Sequence, residues 1–142
     1  MKWGLVFMAL LASGLVSAKQ TYGTVSPSVI RSIYDGDTFK VTISEWPAIV
    51  GNKISVRVNG VDTPEMRGQC DREIKLARKA KKHTVAFLRS GEKVELRNVQ
   101  RGKYFRIVAD VYVSGENLAE SLIVAGLGYR YYGGKKQSWC GL

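Results

Sequence analysis

The sequence predicts one small domain of the α+β class, mainly β, built as a five-stranded barrel with about two to three helices. Three observations carry this. Short runs of period-two alternation recur between turn signals. One long helical stripe follows the third of these runs. A chain of 142 residues, 45% of them hydrophobic, supplies one real core and leaves little for a second.

The N-terminus stands apart from that core. Lys2 precedes an apolar run from Trp3 to Val16, and Val16-Ser17-Ala18 follows as a small-residue cleavage pattern. Residues 1–18 therefore read as a secretory signal peptide cut after Ala18. The run is shorter than the roughly 20 residues needed to span a bilayer. The expectation is an exported protein, secreted or periplasmic, with no stable membrane anchor after cleavage. Cleavage removes one lysine and no acid, so a formal charge of +10 becomes +9. A basic exported domain seeks a polyanion: nucleic acid, an anionic membrane surface or an acidic polysaccharide. Charge alone does not choose among them. The two cysteines, Cys70 and Cys140, fit an oxidising compartment and predict a disulfide tying the C-terminus back across the domain.

In chain order, residues 19–28 are small and polar, a loose lead-in. Val29 to Tyr34 and Thr38 to Ile43 are strand-like runs around Asp35-Gly36-Asp37, and Asp-Gly is a strong hairpin signal. Phe39, Val41 and Ile43 share the inner face. Ser44 to Lys53 connects to a central strand, Ser55 to Asn59, in which Val56 and Val58 alternate with Arg57. Asp62-Thr63-Pro64-Glu65 reads as a turn into a helix, with Thr63 as N-cap and Pro64 at the first helical position. Met66 to Gln69 loosens the chain. A longer helix then runs from near Asp71 to Ser90-Gly91, with Ala77, Ala80, Thr84, Phe87 and Leu88 as its inner stripe. Lys75, Arg78, Lys79, Lys81 and Lys82 lie mostly on its solvated side.

Val94 to Arg97 alternates as a strand, and Gln100 to Lys103 forms a turn. Tyr104 to Val113 is the next strand, with Phe105, Ile107, Ala109, Val111 and Val113 on one face and Arg106 on the other. Asn117 caps a second helix through Ala125, which Gly126 ends. Tyr129-Arg130-Tyr131-Tyr132 is either a base-stacking surface or a last strand packing tyrosines on the barrel. Residues 133–142 form a tail tethered by Cys140. No repeat appears. Five short strands with a helix after the third make an oligonucleotide-binding (OB) barrel the natural candidate.

The acidic residues concentrate where strands end. Asp35 and Asp37 flank a tight turn, while Asp62 and Glu65 follow the strand that carries Arg57. Most Asp-Gly pairs are only turns, so that motif alone says little. His83 is the sole histidine, has no Cys or His partner at ligand spacing, and reads as a bystander; a zinc site lacks ligands.

Taken together, Tyr34-Asp35-Gly36-Asp37-Thr38, Arg57, Val61-Asp62-Thr63-Pro64-Glu65 and Lys103-Tyr104-Phe105-Arg106 resemble the staphylococcal nuclease (thermonuclease) family in order and approximate spacing, over roughly residues 29–132. The resemblance implies an OB-barrel enzyme that uses calcium to hydrolyse DNA and RNA, with no protein partner implied. It implies Asp37 and Asp62 as calcium carboxylates, the Thr63 carbonyl as a further ligand, and Asp35 behind them. Glu65 would orient or deprotonate the attacking water, and Arg57 and Arg106 would bind the phosphate. Lys103 and Tyr104, with Tyr129, Tyr131 and Tyr132, become candidate nucleotide contacts. Hard cations take oxygen ligands, and guanidinium forks match phosphate oxygens, so the set is chemically coherent.

Several positions depart from the family pattern. Phe105 stands where a small residue, usually Gly, precedes the second arginine. Gly102 replaces an acidic residue, and the loop 44–53 and the cysteine pair are also different. The rival reading is a non-catalytic single-stranded nucleic-acid-binding barrel, which typically lacks some of these acids or arginines. A polysaccharide or membrane binder explains the charge but not the carboxylates.

Overall fold

The computed structural model describes residues 17–141, so nearly all of the expected signal segment lies outside the described residues. Strands β1 (Val29–Ile33) and β2 (Thr38–Thr42) form the first hairpin, and a one-turn helix α1 (Ala48–Gly51) leads into β3 (Ile54–Val58). The short β4 (Gly60–Asp62) follows, then the long helix α2 (Asp71–Leu88), β5 (Val94–Arg101) and β6 (Arg106–Val113). The chain ends with β7 (Glu116–Asn117), α3 (Leu118–Val124) and β8 (Tyr129–Tyr131).

The main sheet runs β1-β2-β3-β6-β5, with β7 on the far end of β6, while β4 and β8 pair separately. Only β3 and β6 are parallel, and the others pair antiparallel. This five-strand path with three helices is the expected mainly-β, OB-like α+β fold. Alternation decides which residues fill its interior. Phe39, Val41 and Val56 are fully buried, as are Leu96, Ala109 and Val111 from the neighbouring strands. α3 closes one side with Leu118 and Leu122. Its N-terminus is capped by Asn117, whose Oδ1 accepts from the Glu120 N–H at 3.1 Å.

The elements differ from expectation where tertiary contacts overrule local pattern. No helix starts at Pro64. Thr63 caps nothing: its Oγ1 has no partner among the described residues, its N–H donates to Asp37, and α2 starts only after Cys70. Gln100 and Arg101 belong to β5 rather than to a turn. Conversely β6 starts at Arg106, because Tyr104 and Phe105 both adopt left-handed backbone, φ 54° and 59°. Phe105 is therefore swung out to 72% exposure instead of joining the inner face. The lead-in is not loose throughout: Val25 is buried and bridges to Leu96 of β5. The segment 44–53 contains α1, which pattern alone did not reveal.

His83 lies on α2, and its Nε2 is 2.7 Å from Ser121 Oγ on α3, a bond between two helices. Gly36 does not have a positive φ, so the hairpin does not need it for a left-handed turn. It is there for space. A Cβ at Gly36 would lie 2.8 Å from both Ala80 Cβ on α2 and Thr63 Cγ2. Thr84 of α2 adds a buried hydrogen bond, donating to the Gly36 carbonyl at 2.7 Å. The β1–β2 turn, the segment after β4 and helix α2 thus meet at one point.

Candidate active site

At that meeting point the structure gathers carboxylates from separate parts of the chain. Asp35 and Asp37 come from the β1–β2 turn, Asp62 from the end of β4 and Glu65 from the loop before α2. Asp35, Asp37 and Asp62 are buried, while Glu65 is exposed. Each buried acid is held by backbone or side-chain donors. Asp37 Oδ2 accepts from the Thr63 N–H at 2.9 Å, and Asp37 Oδ1 from Thr38 Oγ1 at 3.0 Å. Asp35 Oδ1 accepts from the Asp37 N–H at 3.1 Å. Thr63 itself is buried, and its Oγ1 has no partner among the described residues.

Arg57 stands in the middle of this group. Strand alternation sends its side chain away from Val56 and Val58 and toward the acids. Its Nη1 lies 2.9 Å from Asp37 Oδ2, and its Nη2 lies 3.4 Å from Asp62 Oδ1. Nη1 also donates to the carbonyls of Val61 at 2.9 Å and Val58 at 3.2 Å.

A second cation comes from the tail. Lys136 Nζ is 2.8 Å from Asp62 Oδ1 and 3.3 Å from Glu65 Oε1. Burial by itself would lower its pKa, but the hydrogen bond and charge of Asp62, joined by Glu65, outweigh this and raise it. Nothing in the sequence around Lys136 marks it as part of a site. It arrives there because Cys140 is bonded to Cys70 with Sγ atoms 2.04 Å apart, and because Trp139 stacks on Tyr129 with ring centroids 4.0 Å apart.

Two cations against four carboxylates leave negative charge in excess. The strain shows at Asp35, whose pKa is pushed up to about 7, first by burial and then by the charge of Asp37.

Glu73 is another residue the sequence reading missed. It is buried on α2 and accepts hydrogen bonds from the Glu65 N–H at 3.2 Å and the Gln69 N–H at 2.8 Å, fixing the loop that presents Glu65. The signal was present: residue 73 falls on the same helical face as 77, 80, 84 and 88, and a glutamate there requires buried partners. Glu73 also lies close to Cys70 and Cys140, but the disulfide uses both sulfurs and leaves no metal site there.

Arg106 is not in this contact network. Its register partner is Ser55, two residues before Arg57, so the two arginines emerge from the same face of adjacent strands. Its Nε is buried without a partner among the described residues. It lines a separate cavity of about 520 Å³ with Phe105, Trp46 and Tyr22. Gly102 makes room for it, since a Cβ there would lie 2.9 Å from both Arg106 Cγ and the Arg106 carbonyl. Lys103 and Tyr104 occupy the intervening turn, with Tyr104 93% exposed. Tyr129 and Tyr131 lie in β8 beside β4, which puts Tyr129 opposite Asp62. One face of Tyr129 is covered by Trp139. Tyr131 Oη donates to the Gly134 carbonyl at 3.0 Å, and Arg130 pairs with Glu120 through both terminal guanidinium nitrogens, Nη1 and Nη2. The Tyr129–Tyr132 stretch is thus a strand that packs the tail and, at Tyr132, an exposed ring.

Comparison with known proteins finds relatives of this chain. The family model described as staphylococcal nuclease homologue matches residues 55–138, from β3 into the tail. Endonuclease YncB of Bacillus subtilis (strain 168) is 33% identical over 118 residues, covering 81% of this chain and 52% of that protein. The SPbeta prophage-derived endonuclease YokF of the same organism is 35% identical over 96 residues, covering 66% of this chain and 30% of its own length. The chain thus spans about half or less of these curated relatives. With its β-sheet order, its carboxylates at two strand ends and a family match over more than half its length, the chain belongs to the staphylococcal nuclease homologue family.

Proposed function

We propose that this protein is an exported nuclease that hydrolyses phosphodiester bonds in DNA and RNA with calcium as its cofactor. The observation that carries the reading is the buried pair Asp37 and Asp62, both in contact with the Arg57 guanidinium.

The donor set suits a hard divalent cation. Every available donor is an oxygen, the carboxylates outnumber their cationic partners, and Asp35 already resists ionisation through burial and then the charge of Asp37. Asp37 and Asp62 would hold the ion, with the Thr63 carbonyl beside them. When bound, calcium supplies charge to the phosphate oxygens and to the attacking water.

The chain's own groups do the remaining work. Arg57 is anchored by the Val58 and Val61 carbonyls and offers a planar fork to phosphate oxygens, where charge grows during attack on phosphorus. Arg106, on the same sheet face, is the second such fork. Glu65 is exposed on a loop fixed by Glu73, positioned to orient a water and take its proton. Aspartates 35 and 37 stay rigid because backbone N–H groups hold them. The basic surface draws the polyanion in, with strong salt dependence. The disulfide supports an oxidising compartment, in keeping with export.

The test is cleavage of single-stranded DNA, duplex DNA and RNA in calcium, magnesium or chelator, with Asp37→Asn alongside. Calcium-dependent cutting lost in Asp37→Asn is expected. Cutting in chelator would remove the metal from the reading. Tight, salt-sensitive binding without cutting under any ion would make the protein a binding module.

A further inference from the structure

We propose that Lys136 is a built-in counter-cation that occupies the Asp62–Glu65 side of the site when no metal is bound and must leave before a divalent ion can enter. The inference rests on the calcium reading above and adds a competitor that the chain itself carries.

The geometry is specific. Lys136 Nζ approaches Asp62 Oδ1 more closely than Arg57 does, 2.8 against 3.4 Å, and also reaches Glu65 Oε1. Asp62 is buried, and its one other cationic contact among the described residues is the longer one to Arg57, which is shared with Asp37. An ammonium at hydrogen-bond distance and a dication ligated by the same carboxylate oxygen compete for it, because the two positive charges repel at that separation. Lys136 thus satisfies a buried acid that would otherwise stand underpaired in the metal-free protein, and in doing so it blocks the ion.

The tail is built to keep this competitor near. Four residues beyond Lys136, Cys140 is bonded to Cys70 at the N-terminus of α2. Between them Trp139 is buried against Tyr129, which pairs directly with Asp62 in the β4–β8 ladder. Both tethers sit beside the carboxylates. They hold the lysine at high effective concentration without any free ligand. The lysine side chain itself stays half exposed, at 47%, so it has somewhere to go when displaced. Cutting the disulfide therefore weakens the competition as well as the tail.

A lysine that holds the metal-free site nine-tenths of the time weakens apparent metal affinity about tenfold. Calorimetric titration with calcium chloride should therefore show Lys136→Met binding about tenfold tighter than the wild type, with Lys136→Arg close to the wild type because it keeps the charge. A second measurement uses the wild-type protein alone. A zero-length carbodiimide should join Lys136 to Glu65 or Asp62 in chelator, seen by peptide mass spectrometry, and saturating calcium should suppress that link.

Equal calcium affinity in wild type and Lys136→Met, or a cross-link that calcium leaves unchanged, overturns the exchange while the calcium reading stands. Absence of any link in chelator overturns the contact itself. If neither protein takes up calcium, the cofactor reading fails and the exchange with it, a result separate from the other two.

Discussion

Replacing Cys70 and Cys140 together by serine tests whether the tail is part of the folded unit. The bond closes a loop of sequence separation 70, and the chain-entropy relation for a loop of that length gives about 4 kcal/mol at 25 °C. The folded tail does not replace that loss by itself. The Tyr129–Trp139 stack contributes about 1 kcal/mol and the half-exposed Lys136 pairs less. Ordering the backbone costs about 1–2 kcal/mol per residue, which the free tail cannot recover from so few contacts. For a domain of this size, a loss of about 4 kcal/mol lowers Tm by about 15 °C. Calorimetric melting of oxidised wild type and the double serine variant, both in chelator, measures it. Amide hydrogen exchange over residues 133–141 should rise in the variant. A Tm within about 4 °C of the wild type, which is about 1 kcal/mol, would refute the reasoning, because the link would then close a loop onto a segment outside the cooperative unit.

Other substitutions probe the site's supports. Arg57→Lys keeps the charge but cannot bridge Asp37, Asp62 and two carbonyls at once, so nuclease turnover should fall on the order of 10²–10³-fold; turnover within threefold of wild type would remove Arg57 from the chemistry. Gly36→Ala drives a methyl against Ala80 and Thr63 at 2.8 Å, and denaturant unfolding should show a loss of about 1–3 kcal/mol. Asp35 has a native pKa raised from 3.8 to about 7, so between those values the native state holds more protons than the unfolded chain. Stability of the metal-free protein should therefore fall as pH rises from about 4 to about 7 and stay low above it. Asp35→Asn removes that slope, so its advantage over wild type in urea melts should appear only above about pH 4 and grow toward pH 7; an equal slope in both proteins would refute the assignment.

The sheet and most of its core were readable because alternation is a local signal with a fixed geometric consequence. Phe39, Val41, Val56 and Val58 sit inside as their spacing requires. The same spacing brought Arg57 and Asp62 to one place, since both emerge where neighbouring strands end. Local signals failed where a distant partner fixed the backbone. Thr63-Pro64 carries a helix-start pattern, yet the Thr63 N–H donates to Asp37, twenty-six residues away, and the next helix begins only at Asp71. Phe105 continues an alternating run, but the tight Gly102–Arg106 turn, closed by the Gly102 N–H donating to the Arg106 carbonyl at 2.8 Å, forces it into left-handed backbone. The odd residue on a helical stripe, Glu73, was legible and went unread. Lys136 was not legible at all. A lysine in a polar tail has no periodicity to place it, and only the disulfide and the Trp139 stack determine where it lies.

The charge balance of the site explains why the tail and the acids belong to one design. Burying three aspartates beside a surface glutamate is unfavourable unless cations or donors answer each charge. Backbone and side-chain donors answer Asp37, and Arg57 is shared between Asp37 and Asp62. That leaves Asp62 and Glu65 short of positive charge and Asp35 reluctant to ionise. A site left in that condition favours whatever cation can reach it. Recruiting Lys136 from the far end of the chain stabilises the metal-free fold, while its half-exposed, flexible side chain keeps the cation removable. The tethered lysine leaves room for exchange.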